Sequence, residues 1–472
     1  MVPNHSETTD GVERRTFLRV SGAAGVAGLA GFAGCTGGGG GEETATATPG
    51  TGGQTTTTSG GGGAGKITFG QPALLSGGIS FIQPPVSASS DIAHRMINEA
   101  GGPLDREIEL VRRDTAYKPP KARKVLRQFI NVDDAVVING LTSTTTVPNW
   151  SFIQKQKVPF VTMYAGTRFL DTRGGDKGTP KDLSDDGWYW RTTGADTQHT
   201  AAAALHAKSA GATNIGVINT KTSGARTWAG AFYDAVEVID GLSQAKRLEV
   251  EAGKTTYRSD LESFFQADID LFGVAVEEAP DAITMLNEWE QAGYGSKVML
   301  SNPMKNSKVR NELGDILEDN WVRVSVPAIA GPYADTYLDK FDSFVKQSDD
   351  YKDDLTVNNW SASAYDAITL SALAIQRGGE ASHEAIERNL GPAARPPGKE
   401  VSTFAEGKKA LQNGNDINYV GAQTRVDFDS TGDVFNAARI WELAPSEWTE
   451  VTMVSADKIK PVVQEVAKLA KS

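Results

Sequence analysis

The sequence predicts an α/β protein of parallel sheets covered by helices on both faces, divided into two lobes. Three observations predict it. From residue 66 onward, short apolar runs alternate with amphipathic stretches, the pattern of strands joined by crossover helices. The run "DAVVING" at residues 134–140 is almost continuously apolar and closed by glycine, as suits a strand buried on both faces. The alternation continues to residue 389, too far for one such sheet.

Composition narrows the classes. Hydrophobic residues make up 39% and charged residues 22% of the 472, enough for real cores. The net charge is −12, from 47 basic and 59 acidic residues. That balance argues against nucleic acid, which needs clustered cations, and against adsorption on anionic lipid through basic patches. One cysteine excludes an intramolecular disulfide and a cysteine-built zinc or iron–sulfur site. None of the five histidines pairs at ligand spacing, so no metal and no cofactor is expected.

The elements follow in order. Residues 1–34 read as an export signal. Arg14 and Arg15 precede Phe17 and Leu18, and a short, Gly-rich apolar run fills residues 20–34. That run is too short for a permanent span, which needs about 20 apolar residues. The arginine pair resembles a twin-arginine signal. Phe32-Ala33-Gly34-Cys35 resembles a lipobox, so Cys35 is the expected lipid acceptor. Residues 35–65 are a Gly/Thr-rich tether with almost nothing to bury. Its r.m.s. span is about 30 Å, which keeps the globular body at the outer face of the cell membrane. "GGGGAGKI" at 60–67 nearly matches a P-loop, but Ile67 stands where Ser or Thr is required and no strand precedes it.

In the body, strands are expected at 66–74, 107–113, 135–139, 158–163, 214–219, 247–251, 270–276, 297–301 and 321–326. Helices are expected at 86–99, 119–131, 145–155, 196–210, 224–240, 257–266, 280–292, 333–347, 359–377 and 382–389. The helix at 119–131 shows the reasoning. Ala122, Val125, Leu126, Phe129 and Ile130 lie three and four apart and make one apolar face, and Pro119 and Pro120 suit a helix start. The polar stretch 173–187 separates the first four strands from the rest.

These residues resemble a known family. "ALLSGG" at 73–78, "MINEAGGPLDREIELVRRDT" at 96–115, "INGLTSTTT" at 138–146, "VPFVTMYAGT" at 158–167 and "YWRTTGADTQHT" at 189–200 look like the branched-chain amino-acid-binding proteins (Leu/Ile/Val type) of ABC importers. "WSASAYDAITLSALAI" at 360–375 and "VDFDSTGDV" at 426–434 match the family's late helix and hairpin. The resemblance covers nearly all of residues 66–445. It implies the type I periplasmic binding fold, two Rossmann-like lobes joined by three hinge crossings near residues 192, 325 and 425. Lobe 1 would be 66–192 plus 325–425, and lobe 2 would be 193–324 plus 426–472. The implied partners are a small solute held between the lobes and the membrane subunits of an ABC permease, with no catalysis.

Ligands of open α/β sheets sit beyond the carboxyl ends of strands. After 135–139 come Leu141, Thr142 and Ser143 at a helix start, where N–H groups and hydroxyls suit a carboxylate. After 158–163 come Tyr164, Ala165, Gly166 and Thr167. By the resemblance, Ser143 and Thr167 donate to the ligand's carboxylate, and the Ala165 carbonyl and Thr167 hydroxyl accept from its ammonium. Without it, Ser143 reads as a cap and Thr167 as a turn residue. Gly224 stands where the family has an aromatic, with Trp228 one turn on. Asn302 stands where the family has the glutamate that pairs with the ammonium. Glu278 either supplies that charge from the neighbouring loop or favours the start of the helix at Pro280. In the second case the ligand is an acid or amide without an ammonium, such as urea, a short amide or an aromatic acid. A sensor component would use the same closure. Tyr164, Trp150 and Phe81 are candidates for an apolar pocket. Asn149 and Asn359 open glycosylation triplets. No G-x-S-x-G elbow or nucleotide-binding G-x-G-x-x-G after the first strand occurs, so an enzyme is not expected.

Overall fold

Strand β1 (Ile67–Ala73) is buried along almost its whole length, as a central strand between helical layers must be. It belongs to a computed structural model that describes residues 65–173, 175, 177, 183, 184 and 187–469. Arg14, Arg15, Cys35, the tether and part of segment 173–187 lie outside the described residues.

The first sheet has the order β2-β1-β3-β4-β5, with β2 (Ile108–Asp114), β3 (Val137–Ile138), β4 (Phe160–Thr162) and β5 (Tyr189–Arg191), all parallel. The second sheet joins β6 (Asn214–Thr220), β7 (Ser243–Val250), β8 (Leu271–Ala275), β9 (Lys297–Leu300) and β10 (Val322–Pro327) in the parallel order β10-β9-β8-β6-β7. A two-stranded sheet pairs β11 (Lys399–Val401) with β12 (Ile417–Tyr419). Strands β13 (Ala438–Leu443) and β14 (Trp448–Val454) then extend the second sheet antiparallel, β13 on β10.

Helices α1 (Gln83–Glu99), α2 (Pro119–Asn131), α3 (Ser143–Thr146) and α4 (Trp150–Gln156) accompany the first sheet. Helices α5 (Asp196–Ser209), α6 (Ser223–Val238), α7 (Arg258–Phe264), α8 (Ala279–Ala292) and α9 (Ser307–Leu313) accompany the second. The chain then returns to the first layer as α10 (Ala334–Gln347), α11 (Ser361–Gly378), α12 (His383–Ala393) and α13 (Phe404–Gln412), and α14 (Ala456–Leu469) closes the second. Crossings between layers therefore follow β5, β10 and β12. Every residue of α11 from Ser361 to Ile375 is buried, because α1, α12 and α13 pack around it. Among the described residues, no helix is long and apolar enough to cross a membrane.

Three expectations are corrected. The helix expected at 145–155 is broken by Pro148 into α3, a 3₁₀ turn at Val147–Asn149, and α4, because proline removes an N–H and crowds the preceding turn. Residues 426–434 form no strand; there the Asp429 carboxylate accepts the N–H groups of Thr431 and Asp433, and the late hairpin is β13–β14. Edge strand β7 starts four residues before the expected 247, since it opens on the exposed, polar Ser243 and Gln244 and carries no apolar run there.

Arg191, at the end of β5 and 1% exposed, ties two loops together. Its guanidinium pairs with Asp171 at 2.8 Å and with Asp433 at 2.5 Å. Burial outweighs the arginine and pushes Asp433 up to about 6.

Candidate ligand-binding site

The cavity lies where the strand ends of the two sheets face each other. It encloses about 560 Å³ of space, the open solvent at its mouth included.

From the first sheet, the chain turns sharply after β3, with Gly140 at φ 151° and Leu141 at φ 73°. Thr142 then caps α3 in a reciprocal capping box with Thr145. This spends the Thr142 hydroxyl locally. The Ser143 hydroxyl has no protein partner among the described residues and lines the cavity. Helix α3 is one turn long, so free hydroxyls rather than a long helix dipole supply the donors. After β4, Tyr164 lines the cavity and donates to Gln83 Oε1 at 3.0 Å, and its burial raises its pKa.

The neighbouring residues play other parts. The amides of Tyr164 and Ala165 donate to Thr162 Oγ1. Gly166 accepts from the Asp196 amide at 2.6 Å, and a Cβ on it would stand 2.3 Å from Asp196 Oδ1. Thr167 is fully buried; its hydroxyl accepts from the Phe169 amide and meets Thr227 Oγ1 of α6 at 3.1 Å.

Two carboxylates face the cavity. Asp196, first residue of α5, is 8% exposed, with Oδ1 3.2 Å from His199 Nε2. Glu277, after β8, is 9% exposed. It accepts from the hydroxyls of Tyr117 and Thr144 across the cleft. Burial, with a repulsive contribution from Asp196, raises the Glu277 pKa. Among the described residues, no Lys, Arg or His lines the cavity. Ile79, Ile82, Val276, Trp228 and Trp360 form apolar wall, and the buried Trp228 Nε1–H has no partner among the described residues.

The two sides touch. The Gly224 amide donates to Thr144 Oγ1 at 3.3 Å. A Cβ on Gly78 would stand 2.2 Å from the Glu278 carboxyl carbon, and within the second-sheet side one on Gly224 would stand 2.0 Å from Glu277 Oε1. Arg168 pairs with Asp234 of α6.

Of the residues singled out in the sequence, Thr142, Ser143, Tyr164, Gly224 and Asn302 surround this cavity. Ala165, Gly166, Thr167 and Glu278 are not on its wall, Glu278 lying instead against Gly78. Trp150 packs against Phe169 and Tyr189, and Phe81 lines a neighbouring groove. The Asn149 amide is buried and donates to the carbonyls of Pro119 and Thr145, which removes it as a glycosylation acceptor in the folded chain. Sequence reasoning missed Asp196, Glu277, Tyr117 and Trp360. Tyr117 and Asp196 follow β2 and β5, so a scan of the loops after those two strands would have found them.

Two sheets, one parallel and one with a parallel core of five strands, joined by three crossings and with a small cavity between their strand ends, define a cleft-type binding protein. The chain belongs to the periplasmic binding protein family, whose model matches residues 66–414, and it has the type I fold. It is similar to the leucine-binding protein LivK of Thermotoga maritima, with 18% identity and a TM-score of 0.66 over 83% of this chain and 99% of that one. It is similar to LivJ of Streptococcus pneumoniae, solved with isoleucine (17%, TM-score 0.63, 82% and 99%). It is also similar to an ABC-transporter solute-binding protein of Rhodopseudomonas palustris solved with benzoate (13%, TM-score 0.63, 83% and 97%). No curated protein matches the chain.

Proposed function

We propose that the protein is an extracytoplasmic receptor, exported by a twin-arginine route and lipid-anchored through Cys35. It captures a small amino acid of the branched-chain type between two lobes, 66–192 with 325–425 and 193–324 with 426–472, and delivers it to an ABC permease. The observation that carries the reading is the cavity's polarity. Asp196 and Glu277 stand in it, no basic side chain lines it among the described residues, and Ser143 from the first-sheet side and Trp228 from the second bring a free hydroxyl and an unpartnered indole N–H to its lining residues. An ammonium answers the carboxylates, a carboxylate answers the two free donors, and an aliphatic side chain fills the Ile79, Ile82 and Trp360 surface. Glu277 is met by hydroxyls and by no cation among the described residues, which is costly for a buried carboxylate, so the ligand's ammonium contributes most there. The bonds from Tyr117 and Thr144 to Glu277 form across the cleft, so closing the lobes and seating the ligand are one equilibrium.

Thermal shift of the full chain with leucine, isoleucine, valine, urea, short amides and benzoate tests it, because a ligand for the native state alone raises the melting temperature. A branched-chain amino acid should give the largest shift, and Ser143→Ala should reduce it. A larger shift from urea, an amide or benzoate overturns the amino-acid reading.

A second reading has its own support. The raised pKa of Glu277 favours its neutral form, which tolerates a ligand without an ammonium, and the benzoate-bound relative has this fold. The readings differ in pH dependence. An acid ligand binds more tightly as Glu277 gains its proton on lowering pH, whereas an ammonium ligand binds less tightly.

A further inference from the structure

A second, larger groove adjoins the cleft and shares Ile82 and Trp360 with it. It encloses about 2010 Å³ of space open to solvent. Its chemistry is opposite to the cleft's. In a chain of net charge −12, the groove wall carries Lys305, Arg310, Lys352 and Arg439 and one acid, Asp354.

The wall is built by register. Arg439 pairs with Val326 and Trp441 with Val324 across the β10–β13 ladder, so the two side chains stand on one face of the sheet. Lys305, three residues beyond Asn302, reaches over Trp441 with Nζ 3.9 Å from the ring centre. The Trp448 indole N–H donates to the Asn306 carbonyl at 3.1 Å and holds that loop in place.

The groove's donors outnumber its acceptors. Arg439 Nη1 pairs with Glu450 at 3.1 Å and Nη2 donates to the Ile329 carbonyl at 3.4 Å. Its Nε is buried without a partner among the described residues, as are Trp441 Nε1 and Asn359 Nδ2. Asn359 is 8% exposed. All three orphans are N–H donors, and each leaves a desolvation cost that an acceptor would remove. Lys305 forms no ion pair among the described residues. Burial and the nearby Arg439 push it down to about 8, against the weaker pull of Glu450.

We propose that this groove is a second ligand site, which takes a carboxylate or phosphate carried on a flat apolar body. Lys305 and Arg439 hold the charge, the Asn359 amide and Trp441 indole N–H complete its acceptors, and the body lies along Leu338, Leu355, Val357 and Trp360. A bound anion would fix the 302–305 loop that also walls the cleft, and so couple the two sites. The site is independent of which solute the cleft holds.

The test is tryptophan fluorescence of the full chain, with Trp360, Trp441 and Trp448 as reporters. Phenyl phosphate, phenylacetate and inorganic phosphate are titrated at constant ionic strength against sodium chloride. Saturable binding is expected for at least one aromatic anion, weakened about tenfold or more by Lys305→Met and by Arg439→Gln. It should be retained by Lys305→Arg, which keeps the charge, and by Ser143→Ala, which touches the cleft alone. Inorganic phosphate binding as tightly as phenyl phosphate would remove the apolar body from the proposal. Equal, non-saturating responses to every anion, chloride included, would overturn the site. So would binding lost in Ser143→Ala and unchanged in Lys305→Met, which would place the anion in the cleft.

Discussion

Replacing Gly224 by alanine tests how far closure depends on the place of the Glu277 carboxylate. The residue is at the start of α6, and its backbone reaches Thr144 across the cleft. An added Cβ would stand 2.0 Å from Glu277 Oε1, where an ordinary non-bonded contact is about 3.5 Å. Gly224 and Glu277 both follow strands of the second sheet, so the Glu277 carboxylate has to move by about 1.5 Å to relieve that overlap. Such a shift breaks the bonds that Glu277 accepts from Tyr117 and Thr144 across the cleft. Bonds to a charged group contribute about 1.5–3 kcal/mol each. Their energies do not add fully, so closure should lose about 2–4 kcal/mol, or roughly 30- to 10³-fold in ligand affinity. Calorimetry on wild type and variant with the best ligand from the thermal-shift panel measures the loss. Ligand-free thermal stability should change little, because Gly224 sits at a rim and not in a core. Wild-type affinity in Gly224→Ala would refute the claim that these cross-cleft contacts form on binding.

Other tests address stability, pH and attachment. Arg191→Met leaves Asp171 and Asp433 without their buried partner and should cost about 3–5 kcal/mol in urea unfolding; adding Asp171→Asn and Asp433→Asn should recover part of it, and an unchanged midpoint in the single variant would refute the role. Asp366 accepts from the Tyr419 hydroxyl and the amides of Ala422 and Gln423, and burial pushes it up to about 7. The native state therefore holds this proton more tightly than the unfolded chain, whose aspartates titrate near about 3.9. Its contribution falls as pH rises from about 4 to about 7 and is level above, by at most about 1.4 kcal/mol per pH unit. Asp366→Asn should flatten that slope in denaturation curves, and parallel curves would count against it. Cys35→Ser should release the protein from the membrane fraction or leave it unprocessed; unchanged attachment would sink the lipobox reading.

Much of the fold was legible because burial on both faces writes itself as apolar runs. Helix α2 falls at the expected 119–131, where Ala122, Val125, Leu126 and Phe129 are all buried. Strand β5 was invisible because three residues, Tyr189–Arg191, are too few to show a period. Asp196, five residues beyond its end, therefore carries no strand-end signal. Strand β14 is exposed through five of its seven residues, so its apolar Val451 and Met453 mark no buried face. The site's polarity turned on a single position. Glu277 and Glu278 are adjacent acids after the same strand, and only the local backbone decides that the first enters the cavity while the second lies against Gly78. Tyr117 reaches Glu277 from a left-handed backbone, φ 60°, a conformation that no propensity assigns to tyrosine.

The placing of α11 has a consequence for synthesis. Helix α1 packs against it, yet α11 begins 170 residues after β5 ends, at Ser361 against Arg191. At roughly 5–20 residues per second on the ribosome, five strands and four helices emerge and then wait about 10–30 s for the segment that covers them. During that interval the face of α1 that packs on α11 is bare, and a holding factor has something to grip. A deletion that removed α11 would leave the same surface bare for good, so the amino-terminal half made alone should aggregate and not fold.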